Sequence, residues 1–395
     1  MKSRHLIIGT LAPLVSSSLC FADIKGKTDE AIAETEEASP AGADETGPNE
    51  TGDEPEVPSS KEKSVLAKDI VQKNFSSIAI IEGDAGSGTG FIINEGDATR
   101  LYTAAHVIAG NKRLTVKNSD GRKFSKFGTF EVAGNSDLAR IQLLEDFKSD
   151  ITIAKHGTAK VSAPLLAIGN SGGAGVLTVI EGQAKALGPD SIEVSNQVIQ
   201  GNSGGPIFSG ETGELLGLVT HATAAREDIW AEGTEFEEVR RFATRLDRPI
   251  KWRTMKIGSF LQETERMETF NRNTRILYAI SALHPTQEGL RLDTRVSESG
   301  PTILSIIEEN KDVPAVSQLL DMNIELGDKR MRISENDLKK RFSRYYGGAL
   351  LELNKDSKNF MPTSFSGYRQ AEAKQALEWR TDAVNRVESA TNNLR

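Results

Sequence analysis

Residues 201–207 read Gly201-Asn202-Ser203-Gly204-Gly205-Pro206-Ile207. A serine between glycines, on a tight turn that runs into an apolar strand, presents its hydroxyl where it can act as a nucleophile. The glycines let the chain turn sharply and let a substrate carbonyl come close. They also leave backbone N–H groups free to face a developing oxyanion. Ordinary turns are rich in Gly and Ser too, so the reading needs a base and a carboxylate to orient it. The chain has five histidines. His106 ends the apolar run Tyr102-Thr103-Ala104-Ala105, whereas His5 lies in a leader and His156, His221 and His284 lack that setting. Asp137 is a single acid opening the alternating run Leu138-Ala139-Arg140-Ile141. His, Asp, Ser is one of the known chain orders for this triad. In that arrangement Ser203 attacks, His106 takes and returns the proton, and Asp137 fixes the imidazole tautomer and stabilises its charge.

A second pentapeptide, Gly169-Asn170-Ser171-Gly172-Gly173, repeats the nucleophile string. No Pro-apolar strand follows it, and Ser171 reads as a turn residue.

These motifs together resemble the trypsin-like (chymotrypsin-fold) serine proteases, in their bacterial Deg/HtrA-type branch. The glycine-rich stretch Gly86-Ser87-Gly88-Thr89-Gly90-Phe91 resembles the first strand motif, Thr103 to Val107 the base motif, Asp137-Leu138-Ala139 the acid motif, and residues 201–207 the nucleophile motif. Ala167-Ile168-Gly169-Asn170 resembles the opening of the second barrel, and residues 236–246 the closing helix. The resemblance covers roughly residues 65–248. It implies a mainly β fold, a double six-stranded β-barrel of chymotrypsin type, with the triad between the barrels. It also implies an oxyanion hole made by the backbone N–H groups of Gly201 and Ser203. Alignment to the family puts Gln197 at the base of the primary pocket, with Val219, Thr220 and His221 along the substrate groove. With no Asp at the pocket base, a small or medium apolar residue before the scissile bond is expected rather than Lys or Arg. Glutamyl endopeptidases use a pocket histidine for acidic side chains, so His221 keeps that role open against a plain polar wall.

The elements that must position these residues follow from periodicity. Residues 77–82, 89–93, 114–117, 139–143, 176–180, 192–194, 206–208 and 215–220 are short β-branched or alternating runs separated by Gly, Asn and Asp. Such spacing favours a sandwich or barrel. No long helical pattern separates them, which disfavours parallel βαβ units. Beyond about residue 248 the pattern changes to 3–4 periodicity: helices are expected over 259–283, near 303–307, 316–324 and 338–346, and over 368–395. In the last, Ala373, Leu377, Val384, Val387 and Leu394 make a heptad-like seam that Arg380 and Thr391 interrupt. A smaller α-helical C-terminal domain is therefore expected, serving stability or acting as a partner or homo-oligomer module. Deg-type enzymes usually carry PDZ domains at this point, but no carboxylate-binding glycine loop is legible.

Lys2 and Arg4, the apolar run from Leu6 to Val15 and small residues closing at Cys20-Phe21-Ala22 read as a secretory signal peptide, residues 1–22. Residues 23–62 read as an acidic disordered linker, because large apolar side chains almost vanish there. Its stretch 23–56 holds 12 acids against Lys25 and Lys27. That excess accounts for the formal net charge of −8, so the acidity describes this segment rather than the partners of the enzyme; a solvated tether is expected, with an inhibitory propeptide as the alternative. The only cysteine, Cys20, falls within the leader, so the mature chain would rely on packing rather than disulfides.

The expected domains are thus 1–22, 23–62, a protease domain at 63–248 and a helical region at 249–395. There is no phosphate loop, metal-ligand cluster or basic stripe. Cofactors, metals, nucleic acid and stable membrane insertion after signal removal are not expected, and polypeptides are. The reading is a periplasmic or secreted serine endopeptidase. The alternative is an idle protease-fold binding or chaperone-like module acting through its helical tail.

Overall fold

The computed structural model describes residues 60–224, 239–292, 300–328, 333–367 and 369–394. The signal-peptide reading and nearly all of the acidic linker lie outside them. Two compact units divide the described chain, with the boundary between Ile257 and Gly258.

The first unit opens with a helix, α1, Ser60–Asn74. Residues 60–62, read from the sequence as linker, are therefore its first turn. Fourteen strands follow: β1 Ile78–Gly83, β2 Ser87–Glu95, β3 Ala98–Thr103, β4 Leu114–Asn118, β5 Lys123–Phe124, β6 Phe127–Ala133, β7 Ala139–Leu143, β8 Pro164–Gly169, β9 Thr178–Leu187, β10 Ser191–Val194, β11 Pro206–Ser209, β12 Leu215–Ala224, β13 Val239–Arg245 and β14 Trp252–Met255. The first half is an eight-stranded half-barrel sheet in the order β14-β6-β7-β3-β2-β1-β4-β5, and the second is a closed six-stranded barrel, β10-β13-β12-β11-β8-β9. The fold is mainly β, as expected. Period-two alternation decides which side chains face inward: along β7, Ala139, Ile141 and Leu143 are buried and the two residues between them are not. Phe91, Leu101 and Tyr102 from the first sheet share one core with Ile168, Phe208 and Leu218 from the barrel.

Two expectations are corrected here. The segment at 236–246, expected as a closing helix, is strand β13 over its described part. It pairs with β12 on one side and β10 on the other. Both neighbours need its N–H and C=O groups to close the barrel, which a helix drawn from the family resemblance would not supply. The domain boundary also moves from 248/249 to 257/258. Trp252 pairs with Ala133, so β14 belongs to the first sheet. The Arg140 guanidinium lies 4.3 Å from the centre of the Trp252 ring and bonds to Glu131 and Glu95, which fixes that edge.

The second unit contains α2 (a long helix, Ile257–Ser281), a hairpin of β15 Leu283–Thr286 and β16 Gly289–Leu292, and four further helices: α3 Gly300–Glu309, α4 Pro314–Gly327, α5 Glu335–Leu353 and α6 Arg369–Asn393. The hairpin was not foreseen. Leu283 belongs to the helical core around Phe342, Tyr345 and Tyr346, and the Tyr346 hydroxyl donates to its carbonyl. The seam of α6 is also rotated from the expected one. Ala373, Ala376, Arg380, Ala383, Val387 and Thr391 are buried, with Leu377, Val384 and Leu394 at the flanks.

Arg380, expected to interrupt the seam, lies within it. Its guanidinium donates to Thr274 Oγ1, to the carbonyls of Phe270 and Leu353, and to Asn354 and Asp356. A buried charge is tolerable only when satisfied in this way. Arg380→Met should strand those acceptors and lower the unfolding free energy by about 3 kcal/mol or more. Urea denaturation followed by circular dichroism would show it as a lower midpoint.

Candidate active site

Strand register brings the predicted base and acid together. Thr103 closes β3 and pairs with Ala139, which opens β7. His106 lies three residues beyond one partner and Asp137 two residues before the other. After Ala104, in extended conformation, a short helix Ala105–Ala109 begins and carries His106 in its first turn. Asp137 then engages this turn at three points. Its carbonyl accepts from the Ala105 N–H at 3.4 Å, its Oδ1 from the His106 N–H at 3.0 Å, and its Oδ2 lies 2.5 Å from His106 Nδ1. The imidazole side chain is 8% exposed and the carboxylate 14%. Burial works against charge on Asp137, but attraction to His106, the two His106 hydrogen bonds and the field of His221 outweigh it. The carboxyl is held below its ordinary 3.8. A carboxylate fixed on Nδ1 leaves Nε2 as the nitrogen able to accept a proton.

The serine turn is held by hydrogen bonds from β2. The Thr89 hydroxyl donates to the Gly201 carbonyl at 2.7 Å, and its N–H donates to the Ser203 carbonyl at 2.8 Å. Thr103 Oγ1 in turn donates to the Thr89 carbonyl. The two carbonyls are thus drawn towards β2. Among the described residues, neither the Gly201 nor the Ser203 N–H donates within the protein. Gly201 sits at φ +92° and Gly204 at φ +82°, where a side chain is strained. A Cβ on Gly204 would also lie 2.2 Å from Thr103 Oγ1 and 2.9 Å from the Ala104 nitrogen. The nucleophile turn therefore packs against the residues leading into His106, and close approach there requires glycine. Ser203 is buried, and β11 starts three residues later.

The predicted pocket residues divide. Gln197 is exposed, and among the described residues its amide reaches the Ser195 carbonyl alone. Val219 does not offer its side chain to a groove, because it is packed in the barrel core. Its carbonyl accepts from the Gly204 N–H and its own N–H donates to Gly205, so it supports the nucleophile turn. Thr220 is buried as well, with its hydroxyl donating to the Phe242 carbonyl. His221 remains accessible and stacks on Phe242 at 4.9 Å. Loss of hydration beside the barrel, opposed by Asp137 and reinforced by repulsion from His106, holds its pKa below the ordinary histidine value. Sequence reasoning missed Thr89 and Thr103 as supports of the site. Their hydroxyls act across strands, and nothing in local spacing marks that.

Residues 88–218 match the trypsin-like peptidase domain family. The serine protease HTRA1 of Xenopus laevis is 26% identical over 289 residues, covering 64% of this chain and 60% of that protein. A protein named probable periplasmic serine endoprotease DegP-like, from Buchnera aphidicola, is 34% identical over 159 residues, 38% of this chain and 32% of its own length. The first unit thus resembles a trypsin-like domain of the Deg/HtrA type. A solved serine endoprotease from Yersinia pestis aligns at 25% identity and a TM-score of 0.35, covering 48% of this chain and 64% of that one. The chain thus spans 60% of the HTRA1 relative and about a third of the DegP-like one. Among the described residues no cluster of His, Cys, Asp and Glu is arranged to hold a metal, and no helix is long and apolar enough to cross a membrane.

Proposed function

We propose that this chain is an exported serine endopeptidase using His106, Asp137 and Ser203. The single observation carrying the reading is the clasp of both Asp137 carboxylate oxygens on His106 beside a serine turn whose carbonyls are drawn to Thr89. Ser203 Oγ attacks the scissile carbonyl as its proton passes to His106 Nε2. The Gly201 and Ser203 N–H groups, free of internal partners among the described residues, receive the oxyanion. The tetrahedral intermediate collapses as the amine leaves with the His106 proton. Water, deprotonated by the same nitrogen, then releases the acid and restores Ser203. Asp137, with its pKa depressed, stays ionised and charge-stabilises the imidazolium throughout.

Substrates are polypeptides cut after small or medium apolar residues, supported by neutral Gln197 at the predicted pocket base. Export to the periplasm or outside the cell is supported by the leader pattern and by the periplasmic name of the Buchnera relative.

A fluorophosphonate probe should label the folded wild type, with the adduct mapped to Ser203 by peptide mass spectrometry. Absence of labelling would favour the idle binding module instead. A peptide-library profile dominated by Lys or Arg before the cleaved bond would reject the apolar preference.

A further inference from the structure

The second copy of the nucleophile string has a place in the fold that the mechanism above does not use. Residues Ser171–Gly173 form a short turn between β8 and β9. This turn lies directly against the oxyanion segment. The Gly172 N–H donates to the Gln200 carbonyl at 2.6 Å, and a Cβ on Gly201 would sit 2.0 Å from the Asn170 carbonyl oxygen. The Ser171 hydroxyl donates to Asn202 Oδ1 at 2.9 Å. Asn202 separates the two residues whose N–H groups would hold the oxyanion.

Proton counting shows how that hydroxyl is held. A serine hydroxyl has one proton to give and two lone pairs to accept with. With the Ser171 proton on Asn202, the contact between Ser171 Oγ and Thr178 Oγ1 takes its proton from Thr178. That one Thr178 proton is shared with the Gly169 carbonyl, which accepts from Thr178 Oγ1 at 3.1 Å, and Thr178 pairs with Gly169 in the β8–β9 ladder. The hydroxyl of Ser171 is therefore fixed from behind by a barrel strand. On the other side, Asn202 is only 1% exposed, and its Nδ2 has no partner among the described residues. Ser171 supplies the one hydrogen bond that its side-chain amide makes there. Gly201, at φ +92° and packed against Asn170, has no side chain of its own with which to hold the turn.

We propose that Ser171 is a positioning residue for the reaction. Through Asn202 it keeps the Gly201 and Ser203 N–H groups turned to the position of the oxyanion. The proposal rests on the endopeptidase reading. A positioning role differs from a purely structural one in where the loss falls: misdirected oxyanion donors slow the chemical step and leave ground-state substrate binding alone.

The test compares wild type, Ser171→Ala, Ser171→Thr and Thr178→Val on one peptide substrate and with a fluorophosphonate probe. Removing an oxyanion donor outright costs about a hundredfold to a thousandfold in kcat, so loosening two donors through Ser171→Ala should cost about tenfold to a hundredfold. KM should stay within about twofold, and the labelling rate should fall in parallel with kcat. Ser171→Thr keeps the hydroxyl and should restore most of kcat. Thr178→Val, which frees that hydroxyl without removing it, should lower kcat by a smaller factor with KM kept. If Ser171→Ala does not fold, Thr178→Val and Ser171→Thr still decide. Unchanged kcat in Thr178→Val, or a threonine variant as slow as a folded alanine variant, overturns the proposal. So does a folded Ser171→Ala with wild-type kcat, or a loss confined to KM. An adduct mapped to Ser171 would overturn it together with the Ser203 assignment. A wild type that never labels brings down the endopeptidase reading itself, which separates the two failures.

Discussion

Replacing Ser203 by alanine is expected to lower kcat about a million-fold while leaving KM and the unfolding midpoint close to wild type. The reason is that Ser203 contributes two separable things. Its backbone carbonyl is part of the scaffold, accepting from the Thr89 N–H, and alanine keeps that bond. Its hydroxyl contributes the nucleophile, and no other hydroxyl stands on that turn. The glycines at 201, 204 and 205 have none, and Ser171 is directed to Asn202. Adding His106→Ala to Ser203→Ala should cost almost nothing more, because a base without its nucleophile has no proton to take. Steady-state kinetics of the two variants beside wild type checks this. A Ser203→Ala protein retaining more than about a hundredth of wild-type kcat would reject the assignment.

Asp137→Asn should be the next most damaging change, lowering kcat about ten-thousand-fold at neutral pH with the fold retained. Asn is isosteric, and the contact to the His106 N–H survives through the amide oxygen. The contact to Nδ1 reverses, however. An amide NH₂ facing Nδ1 donates where the carboxylate accepted, so the ring proton moves to Nε2, which must be bare to receive the serine proton. The carboxylate also has an electrostatic role that asparagine cannot fill. Its folded pKa lies below the ordinary 3.8 because attraction to His106 and hydrogen bonds from it outweigh the cost of burial. A group with a depressed folded pKa contributes stability that is fully present above its unfolded pKa and is lost as pH falls through the folded value. Wild type should therefore lose stability on acidification below about pH 4, and Asp137→Asn should lose less over that window. Urea midpoints of both proteins across that range measure the difference, and equal slopes would count against the ion pair.

Much of the candidate site was legible in the sequence. Ser203, His106 and Asp137 each carry a local signature: a glycine-flanked turn, a histidine ending an apolar run and a lone acid opening an alternating one. Most barrel strands were readable for the same reason, since period-two alternation is a local property. What local pattern could not supply were features set by partners distant in sequence. Strand β13 was expected as a helix from the family resemblance, and the closure of the barrel by β12 and β10 that makes it a strand is invisible in residues 239–245. Val219 was expected on the groove, but barrel packing turned its side chain inward. Arg380 looked like a break in an apolar seam, and only the carbonyls of Phe270 and Leu353 explain why a guanidinium can be buried there.

The sequence by itself determined the class of fold and picked out the candidate residues for the proposed chemistry, because reactive residue types, glycine turns and hydrophobic periods are encoded within a few residues. The tertiary structure alone decided how that chemistry is supported. The β3–β7 register puts Asp137 on His106, and Thr89 draws the oxyanion turn's carbonyls to one side. The nucleophile string at Ser203 and its copy at Ser171 share one pentapeptide and differ in the strand that follows and in their surroundings. Those surroundings are hydrogen bonds and packing between strands far apart in the chain, which no local period can encode.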